Sequence, residues 1–362
     1  MPTTRVPLVS IQYLRALAAL SVVAFHACQW RDGGFAVGRA GVDVFFVISG
    51  VIMWRVTSGG GVSPPAFLWR RFTRVAPLYW LITLVVGAVA VVWPAFLANV
   101  RPGWAHLVLS LAFIPHFDSA GLPFPLLPPG WTLNYEAIFY LVFAGALFAP
   151  RGRRAVVAAS ALLAIVAAGV LMDDPVYILG ANPLLLEFAA GVGVASLADM
   201  KALPGRTASL WLIAAAFAGF ALPAMFGIFN ELLRPFIWGV PATLLVVGCL
   251  GVEAHGGVFA SRTLARLGDA SYSLYLIHLP ASAIVAHTLG VANAWLFIPA
   301  AIAVSVAAGL ACHRWVEVPL IHWTRSLGAV QRLSFASAAH PGYGHLTAVS
   351  APPRARFDKD ID

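Results

Sequence analysis

The sequence has little charge for its length. Asp, Glu, Lys and Arg together make up 10% of its 362 residues, whereas soluble domains carry about 25%. Hydrophobic residues account for 60%, and the mean hydropathy is +0.84. This composition excludes an ordinary soluble domain and predicts an all-α protein that crosses the lipid bilayer several times.

Other features are also absent. The three cysteines, Cys28, Cys249 and Cys312, all lie in apolar segments, which suits buried thiols better than a disulfide framework. The net charge of +8 comes from basic residues scattered over short loops, so we expect no nucleic-acid partner. We see no internal repeat, and no small-residue cleavage site that would make the first apolar segment a removable signal peptide. We therefore expect that segment to be retained as a helix.

Ten apolar segments are long enough to be predicted as transmembrane helices. They lie near 8–28, 40–56, 76–98, 132–149, 154–172, 182–198, 208–228, 236–252, 268–289 and 294–316. An eleventh, at 104–115, is too short to span. We predict an integral-membrane domain over 8–323 and a polar cytoplasmic tail over 324–362, which is rich in Ser, Ala, Pro and Arg.

The distribution of basic residues predicts the orientation. With ten spans and the N-terminus inside, most loop arginines and Lys201 fall on the cytoplasmic side, as the positive-inside rule requires. Only Arg31, Arg39, Arg101 and Arg234 are then left outside. We therefore expect both chain ends in the cytoplasm, and a re-entrant or interfacial piece in the outer loop 99–130. The stretch LPFPLLPPG at 122–130 cannot form a regular helix and is expected to cover the outer mouth.

The first apolar segment contains an arginine and a histidine. Arg15 and His26 are eleven residues apart, which is about three turns of helix, so they share one face at depths about 16 Å apart. Ionisable groups are costly in a bilayer and usually persist there because they are paired or perform chemistry. We interpret His26 as a catalytic base and Arg15 as a catalytic electrostatic group, although packing alone would also account for a lone histidine.

Later segments carry further polar groups. The second segment, GVDVFFVISG, contains Asp43 and Ser49, and WTLNYE contains Trp131 and Glu136. Asp43 and Glu136 are either acid/base groups or structural partners of Arg15 or of other buried donors. In LGDASYSLYLIH the spacing of Ser271, Tyr275 and His278 predicts one polar stripe on a helix. The run LWRRFTR, read here as a loop, carries Arg70, Arg71 and Arg74; guanidinium groups three residues apart suit phosphate binding, and membrane anchoring is the alternative. Glu317, in the closing VEVP, is expected to pair with Arg314.

Taken together, these motifs resemble the membrane acyltransferase-3 family. The resemblance rests on R-x10-H from Arg15 to His26, GVDVFFVISG, R-x-x-R at 71–74, WTLNYE, LGDASYSLYLIH and VEVP, in that order. It covers nearly everything from Ile11 to Pro319. The chain is most similar to the short members that acetylate exopolysaccharide, since no hydrolase-like domain follows.

The resemblance implies transfer of an acyl group, commonly acetyl, from cytoplasmic acyl-CoA to a hydroxyl of an envelope or secreted carbohydrate or glycolipid. It implies a multi-pass protein of the bacterial inner membrane, with no metal. It also gives the candidate residues roles. The catalytic candidates are His26, Arg15, Glu136 and Asp43. The donor-binding candidates are Arg70, Arg71 and Arg74, and the acceptor-binding candidates are Ser49, Trp131, Tyr275 and His278. Polysaccharide-assembly proteins or a second copy of the chain are further candidate partners.

Two other classes of protein fit parts of the sequence. A secondary transporter or flippase for a sugar, lipid or drug would also place Arg, Asp, Glu and His around a cavity. Transporters of this size often show two related halves, which this chain lacks. A scaffold of a polysaccharide-export complex would need no Arg and His on one helix face. We therefore favour the enzyme, with the transporter as the alternative.

Overall fold

The computed structural model describes residues 8–30, 33–97, 100–172 and 179–326. The regular secondary structure of these residues is helical, with no strand among them. We number the α-helices in chain order: α1 Val9–Gln29, α2 Gly41–Thr57, α3 Pro64–Val92, α4 Trp104–Leu111, α5 Trp131–Ala146, α6 Arg151–Met172, α7 Leu185–Asp199, α8 Arg206–Met225, α9 Val240–Ala254, α10 Arg262–Asp269, α11 Ser271–Leu289 and α12 Ala294–Cys312.

Short irregular turns join several of these helices. A 3-10 turn, Ala36–Ala40, leads into α2, and another, Pro128–Gly130, leads into α5. A π-helical turn, Pro235–Gly239, precedes α9, and a second, His313–Glu317, follows α12. The helical run that begins with α12 continues to Ser326. Such π turns often occur at functional sites, and these two contain Trp238 and Glu317.

The start of α1 depends on a distant part of the chain. The first backbone N–H groups of a helix have no partner within the helix. Here the carboxylate of Glu253, at the end of α9, accepts from Val9 N at 2.8 Å and from Ser10 N at 3.1 Å. The Ser10 hydroxyl also donates to Glu253. This contact fixes the depth at which α1, and with it Arg15 and His26, enters the bundle.

The structure confirms an all-helical, multi-pass membrane protein. Seven helical stretches are long and apolar enough to cross a bilayer: 9–29, 36–57, 64–92, 151–172, 206–225, 235–254 and 294–326. Helices α5, α7 and α11 coincide with the other three predicted segments but do not all reach spanning length on their own. The total of ten spans and the orientation therefore stay predictions.

The structure corrects one predicted loop and describes the contents of another. The run LWRRFTR is helical rather than a loop, because α3 begins at Pro64, where Ser63 accepts a hydrogen bond from Ala66 N at 3.4 Å. The loop 99–130 contains the eight-residue helix α4 followed by irregular chain, and Trp80 on α3 donates to Leu111 O at 2.8 Å. From residue 327 onward, the predicted tail lies outside the described residues.

Glycines bring helices α2 and α7 together. A Cβ atom on Gly50 would lie 2.2 Å from Phe188 O, and one on Gly191 would lie 2.0 Å from Val47 O. The backbones therefore touch where both residues lack a side chain. Small residues commonly permit this close packing in membrane proteins.

This contact predicts a sharp difference between two alanine substitutions in α7. Gly191→Ala should destabilise the protein, because overpacking typically costs about 1–3 kcal/mol. Gly193→Ala, two residues away with no atom of the described residues within 4 Å of the new Cβ, should be neutral or stabilising, since alanine favours helix by about 1 kcal/mol over glycine. Thermal unfolding of both variants in the same detergent measures this, and equal melting temperatures would contradict the packing described here.

Candidate active site

Helix α1 carries Arg15 and His26 toward two different ends of the bundle. The helix is unbroken from Val9 to Gln29, so the rise of 1.5 Å per residue keeps the two side chains about 16 Å apart along its axis. Each is partly buried and surrounded by residues of other helices. We call these groups the histidine cluster (His26, His278, Tyr275 and Thr132) and the arginine cluster (Arg15, Arg71, Arg74, Glu136 and Glu317).

The two imidazole rings of the histidine cluster lie close together. The centroids of His26 and His278 are 5.0 Å apart, with the planes at 36°. His26 Nδ1 lies 3.0 Å from Gln29 Oε1, which fixes the orientation of the imidazole. No residue in the described part of the chain hydrogen-bonds to His26 Nε2, so that nitrogen is available to a substrate.

His278 is held from behind by its own helix. It is fully buried, and its Nδ1 lies 2.7 Å from the carbonyl of Tyr275. Its Nε2 is buried without a hydrogen-bond partner among the described residues. The Thr132 hydroxyl donates to the Tyr275 hydroxyl at 3.1 Å, which brings the start of α5 against α11. The predicted residues Tyr275 and His278 therefore lie together near His26, while the Trp131 ring lies against Phe46, Tyr135 and Arg234.

The arginine cluster contains a buried ion pair. Arg74 Nη1 lies 2.8 Å from Glu317 Oε1, and the Glu317 side chain is fully buried. The other Glu317 oxygen lies 2.9 Å from His313 Nδ1 and accepts from the Ser273 hydroxyl at 2.6 Å. The expected pairing of Glu317 with Arg314 is therefore wrong. The π turn at 313–317 aims Glu317 inward, while Arg314 is exposed.

Arg15 lies beside this pair. Its guanidinium interacts electrostatically with Arg74, Glu317, Asp269 and Glu136. None of the residues that the structure describes forms a hydrogen bond or a close ion pair with Arg15. A partly buried guanidinium without a fixed partner is suited to binding an anion.

Arg71 and Glu136 line a cavity between α3, α4 and α5. Its volume is about 260 Å³, and most of its wall is apolar, including Leu68, Phe72 and Phe113. Arg71 Nε is buried with no hydrogen-bond partner in the described chain. The Glu136 carboxylate accepts from the Ser49 hydroxyl at 3.0 Å and from the Tyr140 hydroxyl.

Arg70, one residue before Arg71, is exposed. The predicted donor-binding arginines thus lie at three depths: Arg70 at the surface, Arg71 in the cavity wall, and Arg74 in the ion pair. Ser49 lies with these residues rather than with the histidine cluster, since it bonds to Glu136.

A second buried ion pair holds Asp43. Arg234 Nε donates to Asp43 Oδ1 at 3.1 Å and Arg234 Nη2 to Asp43 Oδ2 at 2.9 Å, and both side chains are almost completely buried. Such forked geometry is the strongest form of arginine–carboxylate contact. Asp43 is therefore paired with another buried donor and not with Arg15, which is one of the alternatives that the sequence left open.

Two residues of this region were missed as site residues. Arg234 was assigned to an outer loop, although it enters the bundle just before the π turn at 235–239. Glu187, in the apolar segment 182–198, is buried beside Asp43, with no hydrogen bond to either oxygen from the described residues. A carboxylate inside an apolar segment is itself a sign of function, so Glu187 could have been found from the sequence.

Comparisons with known proteins agree with this architecture. The sequence profile of the acyltransferase-3 family, described as an acyltransferase domain, matches residues 8–314. The chain therefore belongs to the acyltransferase-3 family and is an O-acyltransferase embedded in the membrane. No solved structure matches it significantly.

Its relatives differ in length. The chain is 40% identical over 313 residues to the exopolysaccharide production protein ExoZ of Rhizobium meliloti, an alignment that covers 83% of this chain and 95% of ExoZ. It is 28% identical to the acyltransferase MdmB of Streptomyces mycarofaciens, covering 94% and 97% of the two chains. It is also 28% identical to the peptidoglycan O-acetyltransferase OatA of Listeria monocytogenes, in an alignment that covers 86% of this chain and 55% of OatA.

The buried pair of Asp43 and Arg234 generates a stability prediction. Asp43→Asn removes the carboxylate that makes the forked contact with Arg234, and breaking a buried pair in this way costs about 3–5 kcal/mol. Removing the partly exposed pair of Arg151 and Asp199 by Arg151→Gln should cost about 0–1 kcal/mol. Thermal unfolding in detergent compares the two variants, and equal losses of stability would contradict the larger contribution expected of the Asp43 pair.

Proposed function

We propose that this protein transfers an acyl group, commonly acetyl, from cytoplasmic acyl-CoA to a hydroxyl of an envelope or secreted carbohydrate. The observation that carries the proposal is that α1 takes part in two sites. At one end it carries a histidine whose Nε2 has no hydrogen-bond partner among the described residues, and at the other it joins a group of arginines. The printed names of ExoZ and OatA, which refer to exopolysaccharide and peptidoglycan, support a carbohydrate acceptor.

The arginine cluster is the proposed donor site. CoA carries several phosphates, and guanidinium groups bind phosphate through paired hydrogen bonds. Arg70 and Arg71 would hold the phosphates at the cytoplasmic side, and Arg15 would stabilise negative charge deeper in the bundle. The apolar cavity beside Arg71 has room for the part of the donor that follows the phosphates.

The histidine cluster is the proposed site of chemistry. His26 Nε2 accepts the proton of the acceptor hydroxyl as that oxygen attacks the thioester carbonyl carbon. The C–S bond then breaks, and the CoA sulfur leaves as a thiolate that takes up a proton. His278, Tyr275, Thr132 and Trp131 shape the pocket around the reacting groups, while Asp43 acts through Arg234 as a positioning residue.

The orientation is part of the proposal. The positive-inside rule puts the arginine cluster in contact with the cytoplasm, where acyl-CoA is found, and the histidine cluster near the outer face of a bacterial inner membrane. The acyl group would then cross most of the membrane inside the protein. Either the donor's flexible arm extends along the bundle, or the acyl group is carried on the enzyme in an intermediate step.

A transporter is the rival proposal. It would bind and move a carbohydrate or lipid without breaking a thioester. An assay of free thiol separates the two: the enzyme releases CoA thiol from acetyl-CoA when acceptor is present, and a transporter releases none.

The histidine generates the first prediction for activity. His26→Ala should lower the turnover number for acceptor-dependent thiol release by about 10²–10⁴-fold, the usual contribution of a general base. The KM for acetyl-CoA should stay within about twofold, because the donor site lies about 16 Å away. His287→Ala, on α11 and outside both clusters, is the matched control; a His26→Ala enzyme as active as this control would rule out a catalytic base at this position.

The donor site generates a second prediction. Arg71→Ala should raise the KM for acetyl-CoA by about 10- to 100-fold, since a hydrogen bond to a charged group contributes about 1.5–3 kcal/mol. Arg71 is a cleaner test than Arg74, whose removal would leave the buried Glu317 unpaired. Arg153→Ala, an exposed arginine of α6, serves as the control. Unchanged acetyl-CoA kinetics in Arg71→Ala would remove Arg71 from the donor site.

A further inference from the structure

A third group of residues lies next to the histidine cluster and has no role in the steps above. It combines Phe25 at the end of α1, Arg39 in the turn before α2, and Phe229, Glu231 and Trp238 from the segment between α8 and α9. We call it the rim site. Three separate parts of the chain meet here, at the end of the bundle that carries His26.

The centre of the rim site is the Arg39 guanidinium, which lies against aromatic rings. Its Cζ atom is 4.2 Å from the ring centroid of Phe229, 5.8 Å from that of Phe25 and 5.9 Å from that of Trp238. Arg39 Nη2 also donates to Glu231 Oε1 at 2.6 Å. The side chains of Arg39 and Glu231 are 29% and 55% exposed, so their polar atoms remain accessible.

The rim site is connected to the buried ion pair below it. Arg234 Nη1 lies 3.5 Å from the second Glu231 oxygen, and Arg234 Nη2 donates to the Arg39 carbonyl at 3.3 Å. The chain of contacts runs from Asp43 in the interior through Arg234 to Glu231 and Arg39 at the surface. This network holds the exposed pair in place before any ligand arrives, which reduces the entropy lost on binding.

The contribution of this pair to stability is small. An exposed ion pair typically contributes about 0–1 kcal/mol, and the Phe229 side chain is itself 40% exposed. An exposed aromatic ring beside pre-positioned donors and acceptors instead has the composition of a ligand site, in which apolar surface supplies affinity and a few polar groups fix orientation.

We infer that the rim site binds a neutral hexopyranose unit of the acceptor, with its apolar face on Phe229 and its hydroxyls on Glu231 and Arg39. This inference rests on the proposed function and assigns its acceptor-binding residues. The choice of a neutral sugar follows from charge: Arg39 and Arg234 lie among three carboxylates, those of Glu231, Asp43 and Glu187, so the network has no excess positive charge to attract an anion. Glu231 and Arg39 offer a sugar both a hydrogen-bond acceptor and a donor. The Phe25 ring, which borders the rim site, lies 4.8 Å from the His26 ring, so a sugar bound there would lie near the proposed base.

The test uses the full-length protein in lipid nanodiscs, with acetyl-CoA as donor. The probe is exopolysaccharide from cells that lack the protein, freed of esters by mild alkali and separated into neutral and carboxyl-bearing oligosaccharides. Phe229→Ala should raise the KM for the neutral oligosaccharides by about tenfold, the factor expected from burying roughly 50 Å² of ring surface. Glu231→Gln should raise this KM by a similar factor, because the carboxylate that accepts hydrogen bonds from the sugar hydroxyls loses its charge.

Two further readouts distinguish binding from structural support. The KM for acetyl-CoA and the turnover number at saturating acceptor should not change in either variant. Phe236→Ala is the matched control, since Phe236 is exposed, lies in the same segment, and has no ring contact with the rim site within the described chain. An unchanged acceptor KM in both rim variants, or a preference of the wild type for the carboxyl-bearing oligosaccharides, would overturn the inference.

The same experiment separates this inference from the proposed function. Direct binding of the neutral oligosaccharides to donor-free protein is measured by calorimetry for the wild type and both variants. If the wild type releases no thiol yet binds the sugar, and the variants do not bind it, the acyl-transfer proposal fails while the rim site stands. If the wild type transfers acetyl normally and the variants match it in every parameter, the rim site fails and the proposed function stands.

Discussion

The structure depends on the cost of placing charge among apolar helices. A charged group in this setting persists when another group compensates for it. Asp43 is compensated by the forked contact of Arg234, and Glu317 by Arg74, His313 and Ser273. These contacts join α2 to the segment before α9, and α3 to the end of the last helix, so the ionic groups also fix how the bundle is assembled.

The parts of this arrangement that depend on one helix could be predicted from the sequence. The eleven-residue spacing of Arg15 and His26 puts both on one face of α1, and the polar stripe of α11 places Tyr275 and His278 together. Periodicity reveals which face of a helix is polar, because that property is local.

The partners of these groups could not be predicted in the same way. Glu317 and Arg74 are separated by more than 240 residues in the sequence, and a near neighbour such as Arg314 looks equally suitable until the π turn at 313–317 is known. The start of α3 was misjudged for a related reason. Charged residues lower the local hydropathy at the end of a spanning helix, so a helical LWRRFTR resembles a loop.

The two ends of the bundle differ in charge in a way that suits their proposed ligands. Around Arg15 the arginine cluster and its surface neighbour Arg70 bring four arginines to three carboxylates, those of Glu136, Glu317 and Asp269, which leaves positive charge for a polyanionic donor. The two arginines of the rim network instead lie among three carboxylates, those of Glu231, Asp43 and Glu187, so no excess positive charge remains there, and the exposed groups offer hydrogen bonds beside aromatic surface. A neutral acceptor at such a site does not compete with the donor for binding, because the donor's phosphates find no excess positive charge at the rim site. One helix can thus serve two chemically different substrates, provided that only the uncharged acyl group has to travel between them.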